Sequence, residues 1–365
     1  MLRRFALLVG LLAVARSGAG AQTRPVASPS WQSLYVNAWA FGSNQRFDAL
    51  VRLADTTEIN AFVIDVKDDT GYLTYQSQVP TAVAIGANQR LRAKDAAARL
   101  GVLRRHRIRA VARIVVAKDP LLAQQKPEWA VKTESGGLWT DRKGFHWVDA
   151  FQDSVWIYAA DLGAEAVRLG FDEVQYDYVR FPDEPKSRMS LAVFPAKRGA
   201  ETSRDGVARN LKLLGDRTRA LSVPFTIDVF GLTTTAQDDM GIGQLWEDLV
   251  STADVVLPMV YPSHYQRGVY NVTAPNGAPY VMVKRALEDG IRRSAKTPGA
   301  RAEIRPYLQA FTLGVPTYTA DHVKQQIRAA EELGIKSWVL WNPGSHYDPR
   351  IFRPGHRPAA VDGSR

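Results

Sequence analysis

The chain of 365 residues contains no cysteine, and its six histidines stand apart from one another. The first absence excludes a disulfide scaffold, a thiolate metal site and a lipid-modified amino-terminal cysteine. The second leaves no H-x-H, HExxH or other paired spacing that could hold a catalytic metal, so neither a metal nor a cofactor is expected. Glycine-rich phosphate fingerprints are missing, which argues against a dinucleotide-binding open sheet, and no serine nucleophile elbow occurs. Asp68, Asp69 and Gly71 have a superficial likeness to a calcium loop, but the ligand spacing and the closing glutamate are wrong. Beyond the amino terminus no apolar run approaches the roughly 20 residues that a membrane-spanning helix needs.

The amino terminus itself has the layout of a secretory signal peptide. Arg3 and Arg4 precede an apolar run from Phe5 to Val14, and a small-residue stretch ends at Ala19-Gly20-Ala21. Residues 1–21 are therefore expected to be removed, giving an exported protein, periplasmic or secreted, with no integral membrane segment after cleavage. An uncleaved anchor is the alternative. A Pro/Ser/Thr/Gln stretch at 22–30 reads as a flexible tether, and 351–365 as a disordered tail.

The formal charge is +10. Arg3, Arg4 and Arg16 leave with the leader, so the mature chain keeps an excess of about +7. Basic residues are spread over helical stretches such as 99–109 and 284–301 rather than gathered with aromatics. That pattern excludes a nucleic-acid footprint and reads as solvated helix faces, with only weak support for attraction to an acidic glycan.

Eight β-rich runs recur, each followed by a helix-like stretch: 34–41, 61–68, 109–118, 172–181, 224–231, 254–262, 304–311 and 336–343. Apolar spacing at 47–59, 96–108 and 323–335 is helical. Strict alternation implies parallel strands joined by right-handed crossovers, and a count of eight favours an α/β fold closed as a (β/α)8 TIM barrel. The expected organisation is a single barrel domain over 31–350, with long loops after strands three, four and six at 119–152, 182–205 and 262–283. Leu100-Gly101, Leu169-Gly170 and Leu333-Gly334 are expected to end helices with a left-handed glycine. No low-complexity region or further repeat is visible.

Polar side chains at the carboxyl ends of barrel strands have a reason to be there if they face the site, because the layers beneath are packed with apolar groups. Strand four ends in Gln175-Tyr176-Asp177-Tyr178-Val179-Arg180. Period-two alternation places Gln175, Asp177 and Val179 on one face and Tyr176, Tyr178 and Arg180 on the other. Asp177 is the strongest candidate for a nucleophile or charge stabiliser. An ion pair with Arg180 or Lys67 that merely braces the barrel is the competing reading.

Asp228 near the end of strand five could complete the pair of carboxylates that glycoside hydrolysis requires, one protonating the leaving oxygen while the other attacks or activates water. Its bland alternative is a carboxylate capping a loop turn. Asp65 and Lys67 share a face on strand two by the same alternation and are candidates for binding sugar hydroxyls or tuning the other acids. A Schiff base on Lys67 is disfavoured, since nearby acids hold the ammonium protonated.

Aromatics supply the second signal. Trp39, Tyr176, Tyr261, Phe311 and Trp341 all fall near strand ends, where flat rings can stack on sugar faces, although part of such a set is ordinary packing. Asn37, Gln309 and Asn342 could hydrogen-bond hydroxyls, and His264 and His346 fall in strand-end loops. The expected partner is a carbohydrate. A carbohydrate-binding barrel without catalysis is the second reading, and a metal-dependent deacetylase is disfavoured by the missing histidine motifs.

GFDEVQYDYVRFPDE at 170–184 resembles the hallmark of a bacterial family assigned to the glycoside hydrolases, with a TIM-barrel fold, long catalogued as a domain of unknown function. The resemblance extends through KDPLLAQQKPEWAV at 118–131, GGLWTDRKGFHWVDAF at 136–151, TIDVFG at 226–231, LPMVYPSHY at 257–265 and VLWNPGSHY at 339–347. It implies a retaining or inverting O-glycosidase in which Asp177 is the nucleophile and Asp228 the leading candidate for acid/base. Ala150 departs from the family pattern, which has proline there. A shared fold does not fix the substrate.

Overall fold

A computed structural model of the chain describes residues 30–355, and those from Trp31 onward form one compact unit. The leader expected at 1–21 lies outside the described residues, as do most of the tether and residues 356–365.

The strands are β1 (Gln32–Val36), β2 (Ala61–Lys67), β3 (Arg109–Val115), β4 (Glu173–Asp177), β5 (Phe225–Phe230), β6 (Val255–Met259), β7 (Glu303–Ile304), β8 (Tyr307–Gln309) and β9 (Trp338–Trp341). Every strand pairing is parallel. The ladder runs from β5 through β4, β3, β2 and β1 to β9, β8 and β6, and β6 pairs back onto β5. The result is a closed (β/α)8 barrel. β7 and β8 are two pieces of the seventh barrel strand, interrupted at Arg305-Pro306, where proline has no N–H to give a ladder.

Both faces of the sheet are buried, which is why β2 reads as an unbroken apolar run apart from Asp65 and Lys67. Phe62, Ile64 and Val66 join the outer core against the helices, whereas Val63, Val111, Leu257, Tyr307 and Val339 pack together in the second, smaller core inside the barrel. The helices Asn44–Thr56, Ala96–Arg105, Asp153–Leu169, Ser203–Arg219, Pro279–Lys296 and Ala320–Glu332 cover the outside. Long connections follow β3, β4 and β6, as the turn-rich composition of those segments predicts.

Three details depart from expectation. Gly170 and Gly334 are left-handed, but Gly101 lies inside a helix that continues to Arg105, and Arg107 adopts the positive φ instead. The first β-rich run is strand only as far as Val36, because the Asn37 side chain accepts the Ala40 N–H and starts a short helix, Ala38–Gly42. The chain also stays ordered past 350. Ile351 and Phe352 are buried, Arg353 pairs with Glu58 and Glu331, and the Gly355 N–H bonds the Thr56 carbonyl.

Candidate active site at the carboxyl mouth of the barrel

The parallel register sets the site. Asp65 on β2 is level with Arg113 on β3, and Arg113 is level with Gln175 on β4, which pairs with Thr226 on β5. Polar groups from four successive strands therefore meet at one height inside the barrel. Residues two positions further along, Asp177 and Asp228, lie nearer the mouth.

Arg113 is the hub. Its guanidinium is buried and donates to Asp65 Oδ1 at 2.6 Å and to Asp177 Oδ2, while its Nε lies 3.7 Å from Asp228 Oδ2. Burial alone would lower its pKa, but the Asp177 and Asp65 charges raise it well above the usual guanidinium value. It stays charged. The ring of Trp341 lies 5.0 Å from the guanidinium carbon and that of Tyr35 5.6 Å away, and these two rings stack on each other at 3.7 Å between centroids.

The three carboxyls around Arg113 differ. Asp177, 4% exposed, accepts from Arg113 and from the Tyr178 N–H at 2.6 Å. Asp65 accepts the Tyr35 hydroxyl at 2.5 Å as well as Arg113, yet burial outweighs both and pushes its pKa to about 6. Asp228, 1% exposed, accepts the Gln175 amide on Oδ1, and its Oδ2 has no hydrogen-bond partner. Burial and then the Asp177 charge drive the Asp228 carboxyl well above the ordinary carboxylate range, so it favours the protonated form. Gln175 also donates to Tyr307 Oη at 2.8 Å, locking the neutral side of this network.

Above the network lies a cavity of about 440 Å³, within the range of small-molecule sites. Asp177, Arg113, Tyr307, Tyr261, His264 and Trp341 line it, together with Phe230, Gly231, Met259 and the loop residues Tyr178, Arg180, Asp183 and Lys143. Gly231 is required where β5 leaves the barrel, because a Cβ there would sit 2.4 Å from the Met259 carbonyl oxygen. Burial holds His264 below the usual imidazole pKa and so toward the neutral ring.

The structure brings Asp177, Arg180, Tyr261, His264 and Trp341 together on this cavity wall, with Asp65 bonded to Arg113 beneath it. Tyr178 has a φ of +54°, which ends the strand alternation immediately after Asp177. That turn carries both Tyr178 and Arg180 to the cavity, on the same side as Asp177 rather than opposite it. Asp177 pairs with neither Arg180 nor Lys67; its cation is Arg113.

Other expected positions go elsewhere. A register irregularity between Asp65 and Lys67 breaks their shared face, and Lys67 bonds Asp119 at 2.5 Å in the packed layer beside Tyr158. Tyr176 faces the helices, its hydroxyl 3.1 Å from Thr218 Oγ1. Trp39 is on the short helix after β1, 62% exposed beneath the Arg92 guanidinium, and does not line the cavity. Asn37 is consumed by its cap and by a bond to the Pro343 carbonyl.

Gln309 is sealed in a brace: it accepts the Ser263 N–H and donates to the Phe311 carbonyl. Phe311 stands behind the wall, edge-on to Tyr261 and His264. Asn342 donates to the Ala310 carbonyl, and His346 lies beside Arg46. Asp228 is also behind the wall. Level with Asp177 in the β4–β5 register, it accepts the Gln175 amide and is not among the residues that line the cavity.

Arg113 is the residue that sequence reasoning passed over. Its signal was available: a lone cation in the middle of the apolar run RAVARIVV, on the period-two face of Val111, flanked by strands that carry Asp65 and Asp177. Among the described residues no group of three acidic or histidine side chains is arranged to hold a metal ion, and no helix is long and apolar enough to cross a membrane.

Solved structures share this architecture. The PgaB (BpsB) glycoside hydrolase domain from Bordetella bronchiseptica aligns with a TM-score of 0.57 over 87% of this chain and 95% of that one, at 13% identity. Alpha-L-fucosidase isoenzyme 2 from Paenibacillus thiaminolyticus gives 0.54 at 13% identity over 88% of this chain but 48% of its own. These likenesses concern the fold. A hypothetical protein from Ruminiclostridium thermocellum ATCC 27405 is 33% identical over 57% of this chain and 98% of its own, with a TM-score of 0.46. No protein of curated function matches the chain. A family profile described as "Putative glycosyl hydrolase domain" matches residues 33–347, and the chain belongs to that glycosyl hydrolase family.

Proposed function

We propose that this chain is an exported O-glycoside hydrolase of an oligo- or polysaccharide, in which Asp177 is the carboxylate that meets the anomeric carbon. The observation that carries the reading is the Arg113–Asp177 contact at the floor of a cavity walled by Trp341, Tyr261 and Phe230. The guanidinium bonded to Asp177 gives it a buried counter-ion, and a carboxylate held at a cation beside the sugar is what an oxocarbenium-like transition state needs. Trp341 and Tyr261 offer ring faces and edges to a sugar.

The second carboxyl has a different part from the one its strand position suggests. Asp228 holds a proton beside Asp177, and removing that negative charge spares Arg113 a third anion to neutralise. It tunes Asp177 rather than touching the sugar. Proton donation to the leaving oxygen then falls to the wall, where Asp183 is the other carboxyl among the described lining residues. Export rests on the leader alone: the basic, apolar and small-residue segments of 1–21.

The test is release of reducing ends from defined glycans by the wild type and by Asp177→Asn, Asp183→Asn and Asp228→Asn. Asp177→Asn should abolish detectable turnover while glycan binding survives. Asp183→Asn should slow hydrolysis by about 10²–10⁴, the usual contribution of general acid catalysis, and far less on an activated aryl glycoside that leaves without protonation. Asp228→Asn should shift the pH profile more than the maximal rate. Turnover that survives Asp177→Asn, or its absence from the wild type on every glycan, defeats the proposal.

A further inference from the structure

We propose that the cavity takes an acidic sugar, a residue bearing a carboxylate, and that Arg180 is the group that recognises it. The inference rests on the glycosidase reading for its frame and adds the substrate class.

Six lysines and arginines are buried among the described residues: Lys67, Arg99, Arg113, Lys118, Arg180 and Arg305. Five of them have a carboxylate within ion-pair distance, respectively Asp119, Asp95, Asp65, Asp69 and Glu173, the last bonded to Arg305. Arg180 has none. A cation removed from water without an anion is strongly disfavoured, and proteins pair such groups almost without exception. The exception here is on the cavity wall.

Its surroundings leave the guanidinium hydrogen-bonding capacity almost unused. Nη1 donates to the Phe181 carbonyl at 2.9 Å, and among the described residues no other acceptor lies within hydrogen-bond distance of the side chain. The guanidinium carbon sits over three rings, 4.3 Å from the centroid of Phe230, 4.6 Å from Tyr178 and 5.3 Å from Trp147. Cation–π contacts stabilise the charge but give the remaining N–H groups no lone pair to bond. Asp183 lines the same cavity yet stays beyond ion-pair distance, exposed to solvent.

A planar fork of donors, held rigid by aromatic walls and open toward a sugar-sized space, matches the two oxygens of a carboxylate. Lys143, from the long loop after β3, lines the cavity too and makes no ion pair among the described residues, adding a second positive charge. A neutral sugar in this position would leave both cations unanswered. A hexuronate would answer Arg180 directly.

The experiment titrates the full chain with galacturonate against galactose and glucuronate against glucose, followed by ligand-observed NMR, with the methyl ester of galacturonate as the neutral isostere. Galacturonate or glucuronate should bind at least about tenfold more tightly than its neutral counterpart, as a charge-assisted bidentate contact implies, and the ester should lose that advantage. Arg180→Gln should abolish the preference, and Arg180→Lys should keep part of it. The ester comparison uses the wild type, so it stands even where the variants fail to fold.

Equal binding of acid and neutral sugar, binding of no uronate up to its solubility limit, or an undiminished preference in folded Arg180→Gln overturns the proposal. Its fate is separable from that of the glycosidase reading. A uronate preference with no Asp177-dependent hydrolysis of any uronate glycan keeps the anion site and removes the enzyme. Asp177-dependent hydrolysis confined to neutral glycans does the reverse.

Discussion

Replacing Arg113 by methionine removes one charge and leaves the side-chain volume nearly unchanged, so it isolates the electrostatics of the site. In the native protein the guanidinium answers Asp65 and Asp177 and stands close to Asp228, all of them buried. Breaking a buried ion pair by deleting one partner costs about 3–5 kcal/mol, a large share of a domain's total stability of about 5–15 kcal/mol. The orphaned carboxyls have a way to escape part of this cost: they can take up protons.

Asp65 already titrates at about 6 with Arg113 beside it, above the ordinary carboxyl value, and without the cation it must go higher. A carboxyl whose folded-state pKa exceeds its unfolded value binds more protons folded than unfolded, so stability falls as pH rises from the unfolded value through the folded one. Below that window the variant's carboxyls are neutral in both states and the loss is small. Above it the loss is complete.

Each pKa unit amounts to about 1.4 kcal/mol per group, so urea unfolding of Arg113→Met should show a loss larger by about 2–4 kcal/mol at about pH 8 than at about pH 5, relative to wild type. The wild type should itself lose some stability between about pH 4 and pH 6 as Asp65 ionises. A loss of equal size at both pH values, or one under about 1 kcal/mol throughout, refutes the assignment of Arg113 as the buried counter-ion.

Lys67→Met should lower unfolding free energy by about 3–5 kcal/mol, since it orphans Asp119, but leave the rate per folded molecule on a glycan substrate unchanged; a selective loss of activity would return Lys67 to the site. Gly231→Ala forces a Cβ to within 2.4 Å of the Met259 carbonyl and should destabilise by about 1–3 kcal/mol, measured by thermal unfolding, while distorting the cavity wall between β5 and β6 enough to weaken sugar binding. Trp39→Ala, at an exposed position outside the cavity, should leave glycan affinity intact, whereas Trp341→Ala should reduce it measurably in the same titration.

Much of the barrel was written in local pattern. Helical spacing at 323–335, apolar runs such as AFVI in β2 and the Leu-Gly junction at Gly170 each depend on neighbours a few residues away, and each is present close to its expected place. Local pattern misled where one residue redirects the chain. Asn37 caps a helix and turns Trp39 away from the mouth, and the irregularity after Asp65 sends Lys67 into the outer layer.

The sequence by itself determined that strands and helices alternate eight times and that acids accumulate at strand ends, because periodicity and composition are properties of a segment. Only the tertiary structure decided which acid meets which cation. Arg113 lies 48 residues from Asp65 and 64 from Asp177, and nothing in their spacing along the chain records that parallel register sets them side by side. The same register sets Asp228 beside Asp177 and onto the Gln175 amide, and the turn at Tyr178 leaves Arg180 on the cavity wall with no ion-pair partner among the described residues. Electrostatic meaning arises from distance in space, which the fold supplies.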